Sequence, residues 1–238
     1  MKRASTAEKK EERRASIVER ARAYIATRSF DEVRMSDLAR ELALVKGTLY
    51  LYFPTKQDLF ASILIDEMEA WWKEVQDRPA TRSPGKDLTR GLGDRGLMVR
   101  LLASLHMTIE PGLSPRGLLT MKRWFGDFAL RASRDIEARY PGIAGSGFRL
   151  LIEIYALVIG LSQLAFPPEN VRVLIDSDET LAVFRIELDV FLAESIDSLY
   201  RGAQLARGAR SRGLRGPGRR SRRSRVRGSS TRPGHQKT

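Results

Sequence analysis

Residues 30–59 read FDEVRMSDLARELALVKGTLYLYFPTKQDL, and this stretch decides the fold. Leu38 and Leu42 stand four positions apart, and so do Leu49 and Phe53, which is the spacing of apolar residues on one face of a helix. Each pair spans only five residues, and Pro54 ends the second segment. The stretch therefore predicts two short amphipathic helices joined by a tight turn.

The residues on either side extend this pattern in both directions. Upstream, Ile17, Ala21 and Ile25 mark an amphipathic helix, against which Leu38, Leu42, Leu49 and Phe53 are expected to pack as a core. Downstream, Thr55 and Asp58 form a capping-box pattern, which predicts the start of a long fourth helix that runs to about Gln76.

The rest of the chain also has helical periodicity, and strand signals are nearly absent. Residues 78–96 are rich in Pro, Gly, Ser and Thr and predict a loop with room for a short helical turn. Further helices are predicted at 97–109, 116–139, 147–166 and 178–200, separated by breaks that contain proline. We expect an all-α protein: an N-terminal three-helix helix-turn-helix domain followed by a second helical domain.

The composition excludes several kinds of site. The chain has no cysteine and two histidines, so disulfides, thiolate zinc sites and cysteine nucleophiles are excluded, and no metal or other cofactor is expected. The charged N-terminus lacks a signal-peptide core. The apolar run 150–166 contains Glu153 and Gln163, and we interpret it as a buried helix rather than a membrane span. A cytoplasmic protein is expected.

The positive charge is concentrated at one end of the chain. Residues 201–238 contain 13 of the 42 Lys and Arg residues and no acid, so the first 200 residues balance 29 cations against all 29 acids. The net charge of +13 is therefore no evidence that the folded part binds nucleic acid. The tail is expected to be disordered and to bind polyanions without sequence preference, or to have no function.

A short helix, a turn and a second short helix are the geometry that places a recognition helix in the DNA major groove. The run 46–53, KGTLYLYF, is followed by Pro-Thr-Lys at 54–56 and preceded by Phe30, Met35 and Asp-Leu-Ala at 37–39. Over about residues 14–62 this pattern resembles the signature of the tetracycline-repressor-like (TetR) family. The resemblance implies a bacterial transcriptional regulator that binds palindromic operator DNA as a homodimer.

The resemblance and the chemistry of the side chains together predict the DNA contacts. Lys46 and Gly47 open the recognition helix, where free amides attract phosphate, and Thr48 can reach a base edge. Tyrosine hydroxyls and the Lys56 ammonium can bind backbone oxygens. The predicted contacts are Arg34, Ser36, Lys46, Gly47, Thr48, Tyr50, Leu51, Tyr52 and Lys56.

The chain departs from the family pattern in two places. Arg34 stands where the family usually has a Ser or Thr cap for the second helix. Ala43-Leu44-Val45 replaces a common Gly-Val-Ser before Lys46. We therefore expect weak caps on the second and third helices.

An effector pocket is predicted in the second domain. Several helices there have aromatic or apolar faces, from which a pocket for a small apolar or aromatic molecule could be lined, with His106 and Glu110 as a polar handle. A filled core is the alternative interpretation of the same residues. The predicted pocket residues are Trp71, Leu101, Leu105, His106, Phe125, Phe128, Tyr155 and Ile159.

The last two predicted helices suggest a dimer interface. Their apolar stripe is wider than one neighbouring helix requires, and small residues would let a partner helix approach closely. An ordinary intramolecular core is the alternative. The predicted interface residues are Ala156, Gly160, Leu181, Phe184, Leu188, Phe191 and Ser195.

Two other functions remain open at this point. One is non-specific nucleic-acid binding through the Arg-rich tail; the other is a helical enzyme, which we do not expect because no nucleophile–base pair or phosphate loop is found. The predicted organisation is a charged arm at 1–13, a helix-turn-helix domain at 14–60, an effector-binding and dimerisation domain at 61–200 and a disordered Arg-rich tail at 201–238.

Overall fold

A computed structural model describes the backbone of residues 2–213 and the side-chain surroundings of residues 7–209. Within these residues the chain is helical with no strand, so the all-α prediction is confirmed. The helices are α1 (Lys2–Ala26), α2 (Met35–Glu41), α3 (Lys46–Tyr52), α4 (Lys56–Asp77), α5 (Pro84–Thr89), α6 (Gly96–Ser104), α7 (Pro115–Arg139), α8 (Gly147–Ala165), α9 (Glu169–Ser177) and α10 (Leu188–Gly213).

The first three helices enclose the predicted core. Leu49 and Phe53 are 0% and 1% exposed. The residues expected to pack with them, Ile17, Ala21, Leu38 and Leu42, are buried in the same cluster. Burial of a Leu or Phe side chain stabilises a fold by about 1.5–3 kcal/mol, so this cluster holds α3 firmly against α1 and α2.

The helix α4 joins the two parts of the molecule. Its capping box is present: Asp58 N–H donates to Thr55 Oγ1 at 3.0 Å, and Thr55 N–H donates to the Asp58 carboxylate at 3.1 Å. Leu59 near its start and Trp72 and Val75 near its end are all buried. One continuous helix therefore contributes buried residues to both parts of the molecule.

The predicted N-terminal arm is not a separate element, because α1 begins at Lys2 and continues to Ala26. Its first half consists mostly of Ala, Lys, Glu and Arg, which have high helix propensity and extend the helix without a core of their own.

The predicted disordered tail begins too early. Helix α10 continues past Tyr200 to Gly213, so residues 201–213 are helical. Leu, Gln, Ala and Arg at 203–207 favour the helix, and the partly buried Ala203 packs against the core. The remaining tail, 214–238, lies outside the described residues.

The single helix predicted at 178–200 is also wrong. Helix α9, a 3-10 segment at Glu179–Phe184 and a non-helical stretch at 185–187 precede α10. The Asp178 carboxylate accepts the Thr180 N–H at 2.9 Å, a local bond that caps the 3-10 segment and competes with a continuous helix.

The predicted loop at 78–96 contains the short helix α5, which packs tightly against α10. A Cβ on Gly85 would lie 2.0 Å from the Ala193 carbonyl oxygen, so only glycine allows this approach. The Asp197 carboxylate accepts hydrogen bonds from Ser83 Oγ at 2.6 Å and from Gly85 N–H at 2.8 Å. These contacts fix the position of α10 on the body of the protein.

The helix α8 is only partly buried, which corrects the prediction of a buried helix. Leu150, Ile154 and Val158 face the interior, whereas Phe148 and Ile152 are about half exposed. By length and composition alone α8 could cross a membrane, but a single helix of this kind is weak evidence for a span.

Candidate nucleic-acid interface and its links to the helical domain

The helix α3 presents the predicted contact residues on its outer face. Lys46, Gly47, Tyr50 and Leu51 are exposed, Leu51 to 76%. Thr48 and Tyr52 are half-buried beside them, while Leu49 points into the core. The core therefore fixes which side of α3 faces outward.

The N-terminus of α3 is open. Val45 occupies the cap position and makes no side-chain hydrogen bond, as expected from the departure noted in the sequence. The first amides of a helix, here those of Lys46 and Gly47, have no acceptor within the helix. Lys46 Nζ lies 5.9 Å from the centre of the Tyr50 ring, so charge and hydroxyl lie on the same side.

The turn before α3 is held by backbone hydrogen bonds. Leu44 N–H donates to the Ala39 carbonyl at 2.8 Å and Ala43 N–H to the Arg40 carbonyl at 3.0 Å, which is a Schellman motif. This motif needs a left-handed residue after the helix, and Ala43 has φ of 52°. Ala43 thus adopts a conformation that usually favours glycine.

Arg34 and Ser36 lie exposed at the start of α2. Arg34 is the cap residue and its side chain makes no capping bond, so the second weak cap is confirmed. The predicted phosphate contacts of both side chains remain predictions.

The structure gives Lys56 a role that the sequence did not predict. Its Nζ donates to the Phe30 carbonyl at 2.9 Å and to the Val33 carbonyl at 3.4 Å, and it lies 4.1 Å from the Phe30 ring centre. An ammonium has three N–H donors, so at most one remains for a phosphate. Lys56 primarily ties α4 to the loop between α1 and α2.

The sequence analysis missed Val45, which is 75% exposed directly before α3. An exposed apolar side chain at the groove-facing end of a recognition helix can contact a thymine methyl group. The spacing gave no signal for this exposure, because Val45 stands four positions before Leu49 and so continues the spacing of the two core residues.

A buried carboxylate links the first domain to α7. The Asp58 carboxylate, already part of the α4 capping box, accepts Ser114 Oγ–H at 3.0 Å and Ser114 N–H at 3.3 Å. Ser114 Oγ in turn accepts the Gly117 N–H and caps α7. The starts of α4 and α7 therefore share one hydrogen-bonded cluster.

Two further contacts cross the same boundary. Arg100 of α6 donates to the Ile25 and Ala26 carbonyls at 3.0 and 2.9 Å, which caps the end of α1. Glu67 of α4 forms ion pairs with Arg22 of α1 at 2.8 Å and with Arg95 at 3.3 Å. Side chains of α6 and of the residue directly before it are therefore bonded to α1 and α4.

The predicted pocket residues form a packed region. Trp71, Leu101, Leu105 and Phe128 are buried, and only His106 among the eight is largely exposed. The clefts of 1210, 560 and 430 Å³ that open on the described residues are lined by other side chains. Partly buried members of the predicted set are Phe125, Tyr155 and Ile159.

One donor in this packed region is unsatisfied. The indole N–H of Trp71 is buried and has no hydrogen-bond partner among the described residues. An unpaired buried donor costs about 1–3 kcal/mol, so an acceptor that reached it would be bound with that advantage.

The predicted handle at His106 is a hydrogen-bonded chain. His106 Nε2 lies 2.9 Å from Tyr155 Oη, and Nδ1 lies 3.2 Å from Glu110, which also accepts Lys122 Nζ at 2.6 Å. Burial alone would raise the pKa of Glu110, but the bonds from Lys122 and His106 outweigh it and lower the pKa. Burial and the nearby Glu110 charge raise the pKa of Tyr155 to about 12.

The predicted dimer residues do not all lie on one surface. Leu188 is buried within the chain, and Leu181 and Phe184 lie in the 3-10 segment rather than on the last helix, because that helix begins only at Leu188. The residues that the structure brings to the outer faces of α8 and α10 are Ala156, Gly160, Phe191 and, partly exposed, Ser195.

A groove of 1210 Å³ lies between α8 and α10. Its walls include Ala156, Phe191, Ser195, Ser198 and Gly202. All of these except Phe191 are small, which leaves room for the side chains of another helix.

Two family models match the chain. The model described as "Bacterial regulatory proteins, tetR family" matches residues 17–63, and the model described as "Tetracyclin repressor-like, C-terminal domain" matches residues 61–207. No curated protein matches the chain. The two family matches meet within α4, and the second ends within α10.

Proposed function

Because the chain belongs to the tetR family of bacterial regulatory proteins and is a DNA-binding transcriptional regulator, we propose that it is a ligand-responsive repressor that binds a palindromic operator as a homodimer. The observation that carries this proposal is α3, which is fixed by Leu49 and Phe53 and presents Lys46, Tyr50 and Leu51 to solvent. Two such helices related by a two-fold axis read half-sites about 34 Å apart.

Selection of random duplex DNA on the full chain, read by sequencing, tests operator recognition. We expect a palindromic site whose enrichment disappears in Lys46→Ala and Tyr50→Ala. Leu130→Ala, an exposed residue of α7, is the matched control and keeps the site. Binding without enrichment of any site would favour the alternative, non-specific nucleic-acid binding through the Arg-rich tail.

For the dimer we propose that the outer faces of α8 and α10 pack against the same faces of a second copy. Exposed Phe148, Ile152 and Phe191 lie around small Ala156 and Gly160, an arrangement that suits a four-helix bundle. Ala156→Arg should shift the chain toward monomer in sedimentation equilibrium, whereas Leu130→Arg should not. A dimer unaffected by Ala156→Arg would place the interface elsewhere.

The proposed effector is a small apolar or aromatic molecule with one hydrogen-bond acceptor. It would enter between α4, α6 and α7 by displacing the packed side chains and would satisfy the Trp71 N–H. Compounds that raise the melting temperature and weaken operator binding are candidates. Trp71→Phe keeps the aromatic bulk but removes the donor, and should weaken such a compound about tenfold. Equal binding to Trp71→Phe would contradict the assigned donor.

The response is proposed to travel along α4 and through the Asp58–Ser114 cluster. An effector changes operator affinity only if it binds the two states unequally, typically by about 1–3 kcal/mol. A compound that binds the protein and leaves operator affinity unchanged is therefore not its effector. We place this activity in the bacterial cytoplasm, without a cofactor or metal.

A further inference from the structure

A cleft of 560 Å³ lies between the N-terminal half of α1, the end of α3 and the starts of α4 and α7. Pockets for small molecules measure about 300–1,000 Å³, so the cleft is large enough to hold one. None of the eight predicted effector-pocket residues is among its lining residues. Asp58 in the cleft and Trp71 are 13 residues apart on α4, which is about 20 Å along the helix axis. The cleft is therefore separate from the region proposed for the effector.

Part of the cleft wall is apolar. Phe53, Ala61 and Met121 line it as buried side chains, and Ile65 and Leu113 line it as partly exposed ones. An apolar group that covered the two partly exposed side chains would remove them from water, which is favourable. The cleft therefore offers a binding surface to an apolar body.

Three cations line the same cleft, namely Lys10, Arg14 and Arg116. Arg14 is held in place, because its guanidinium lies 5.2 Å from the centre of the Phe53 ring and 3.3 Å from the Glu11 carboxylate. Lys10 and Arg116 are exposed, and neither side chain forms a hydrogen bond or an ion pair within residues 7–209. Contacts within the described chain therefore do not account for these two charges.

The two acids that line the cleft already have partners. Glu11 pairs with Arg14, and the Asp58 carboxylate accepts hydrogen bonds from the residues that cap α4 and α7. Asp58 is also only 8% exposed, whereas the two unpaired cations are exposed. The accessible part of the cleft therefore carries positive charge beside an apolar wall, which complements a molecule with an anionic group and an apolar body.

We propose that this cleft binds a small amphipathic anion, a carboxylate with an aromatic or alkyl body. The carboxylate lies at Lys10 and Arg116, and the apolar body covers Ile65 and Leu113. This site is distinct from the effector pocket of the proposed function and does not depend on it. Because the cleft is lined by α1 and α3 on one side and by α7 on the other, its occupant holds the two domains together and should raise the melting temperature.

Isothermal titration of the full chain with 2-naphthoate and with decanoate tests the charged part of the site. Lys10→Gln and Arg116→Gln should each raise the dissociation constant of both anions about threefold, and the double variant about tenfold. The neutral probe 2-naphthamide has the shape of 2-naphthoate without its charge. It should bind about tenfold more weakly than 2-naphthoate to the wild type and respond to neither substitution.

The matched controls are Lys9→Gln and Arg123→Gln. They remove the same charges at exposed positions of the same two helices, α1 and α7, but neither residue lines the cleft. Both should leave the dissociation constants unchanged. Trp71→Phe should leave them unchanged as well, because Trp71 lies in the region proposed for the effector.

A steric block tests the position of the apolar body. Thr120 is exposed on α7 and lines the cleft, so the indole of Thr120→Trp should fill the cleft and abolish the binding of both anions. Leu119→Trp places the same side chain at the neighbouring position, which is 52% exposed and does not line the cleft, and it should bind both anions like the wild type. Because both positions are exposed, we expect both variants to fold, which circular dichroism checks.

Three results would overturn the inference. If neither anion binds the wild type at millimolar concentration, the cleft is not such a site. If Trp71→Phe weakens both anions while the cleft variants do not, the anions occupy the region proposed for the effector instead. If inorganic phosphate binds as tightly as the two anions and responds to the same substitutions, the cations act alone and the apolar wall takes no part. Operator recognition is tested separately by the selection of random DNA and stands or falls independently of these results.

Discussion

Individual residues decide the geometry of the turn that precedes the recognition helix. Ala43 holds a left-handed conformation because the Schellman motif requires it, and the left-handed region is costly for any residue with a Cβ. The sequence indicated the turn and the departure from Gly, but the backbone angle shows that the motif itself is kept.

Replacing Ala43 by Gly should stabilise the protein. Glycine removes the backbone strain of the folded state, and this gain is larger than the cost of the extra freedom that glycine gives the unfolded chain. We expect the free energy of unfolding to rise by up to about 1 kcal/mol. Ala129→Gly within α7 is the control and should lose about 1 kcal/mol, because its backbone is helical. Urea unfolding measures both, and a loss in Ala43→Gly would contradict the strain.

The Tyr140–Asp87 pair should make stability depend on pH. Tyr140 Oη donates to the buried Asp87 carboxylate. Burial raises the pKa of Asp87, but the bonds from Tyr140 and Thr81 outweigh it and lower the pKa below the usual value. The unfolded Asp carboxyl has a pKa of about 3.9, and its lowered pKa in the folded state stabilises the protein at any pH above that value. This stability is lost as the pH falls through the folded pKa.

Tyr140→Phe removes the hydroxyl donor and should cost about 1.5–3 kcal/mol at pH 7, because the acceptor is charged. The difference from wild type should shrink in acid, once Asp87 is protonated. Urea unfolding at pH 7 and at successively lower pH measures the trend. A difference that stayed constant with pH would show that lost packing, not the charged bond, is responsible.

Residue patterns predicted the core better than the roles of charged side chains. The spacing of Leu49 and Phe53 fixes their direction once a helix is assumed, and both are buried as expected. Lys56 remains a predicted phosphate contact, but no sequence pattern predicted that its Nζ donates to the Phe30 and Val33 carbonyls. A lysine side chain is long and flexible, so the tertiary structure decides which acceptors its ammonium group reaches. A local sequence pattern does not contain that information.

At the scale of helices, the starts of α4 and α7 form the junction between the two domains. Ser114 caps α7 and also donates to Asp58, so it links the helix that carries the DNA-binding domain to the helix of the predicted pocket. A substitution of Ser114, compared with a substitution of another capping serine, can therefore distinguish the loss of a helix cap from the loss of the proposed coupling between the two domains.

Ser114→Ala should reduce the effect of an effector on operator affinity. Ser83→Ala is the control, since Ser83 also caps a helix by accepting the Lys86 N–H but lies at α5, away from the junction. Both should lower stability by about 1 kcal/mol. Only Ser114→Ala should narrow the ratio of operator dissociation constants with and without effector; an equal change in both variants would contradict a role for the junction.

Helix boundaries were predicted well where a capping residue in the sequence marks the helix end. They were predicted poorly where tertiary contacts determine where the helix begins or ends. The capping-box pattern of Thr55 and Asp58 correctly predicted the start of α4. The break before α10 was missed, because the apolar spacing of Leu181, Phe184 and Leu188 continues across it while Asp178 caps a separate 3-10 segment. The Arg-rich composition of residues 201–213 likewise led to a prediction of disorder where the structure has a helix.

At the scale of the whole molecule, the positive charge divides into two parts with different expected roles. Residues 201–213 belong to α10, and nine further cations lie beyond it in residues 214–238. Because the charges of residues 1–200 balance, we expect non-specific DNA affinity to come chiefly from those nine cations.

Truncation after Gly213 should weaken binding to unrelated DNA and make the dependence of the logarithm of affinity on salt shallower, while the preferred operator stays the same. Fluorescence anisotropy at several salt concentrations measures both effects. Truncation after Tyr200 should in addition weaken the dimer. Loss of sequence preference on truncation after Gly213 would show that the last residues take part in base recognition.

The attachment of α5 to α10 also constrains when the proposed dimer can form during synthesis. Ser83 and Asp197 are 114 residues apart in sequence, and Gly85 meets the α10 backbone too closely for any other residue. Contacts of such separation form late, because closing a long chain segment is entropically costly. We expect α10 to acquire its final position only after both α5 and α10 have left the ribosome, so that assembly of the proposed dimer follows folding of each chain.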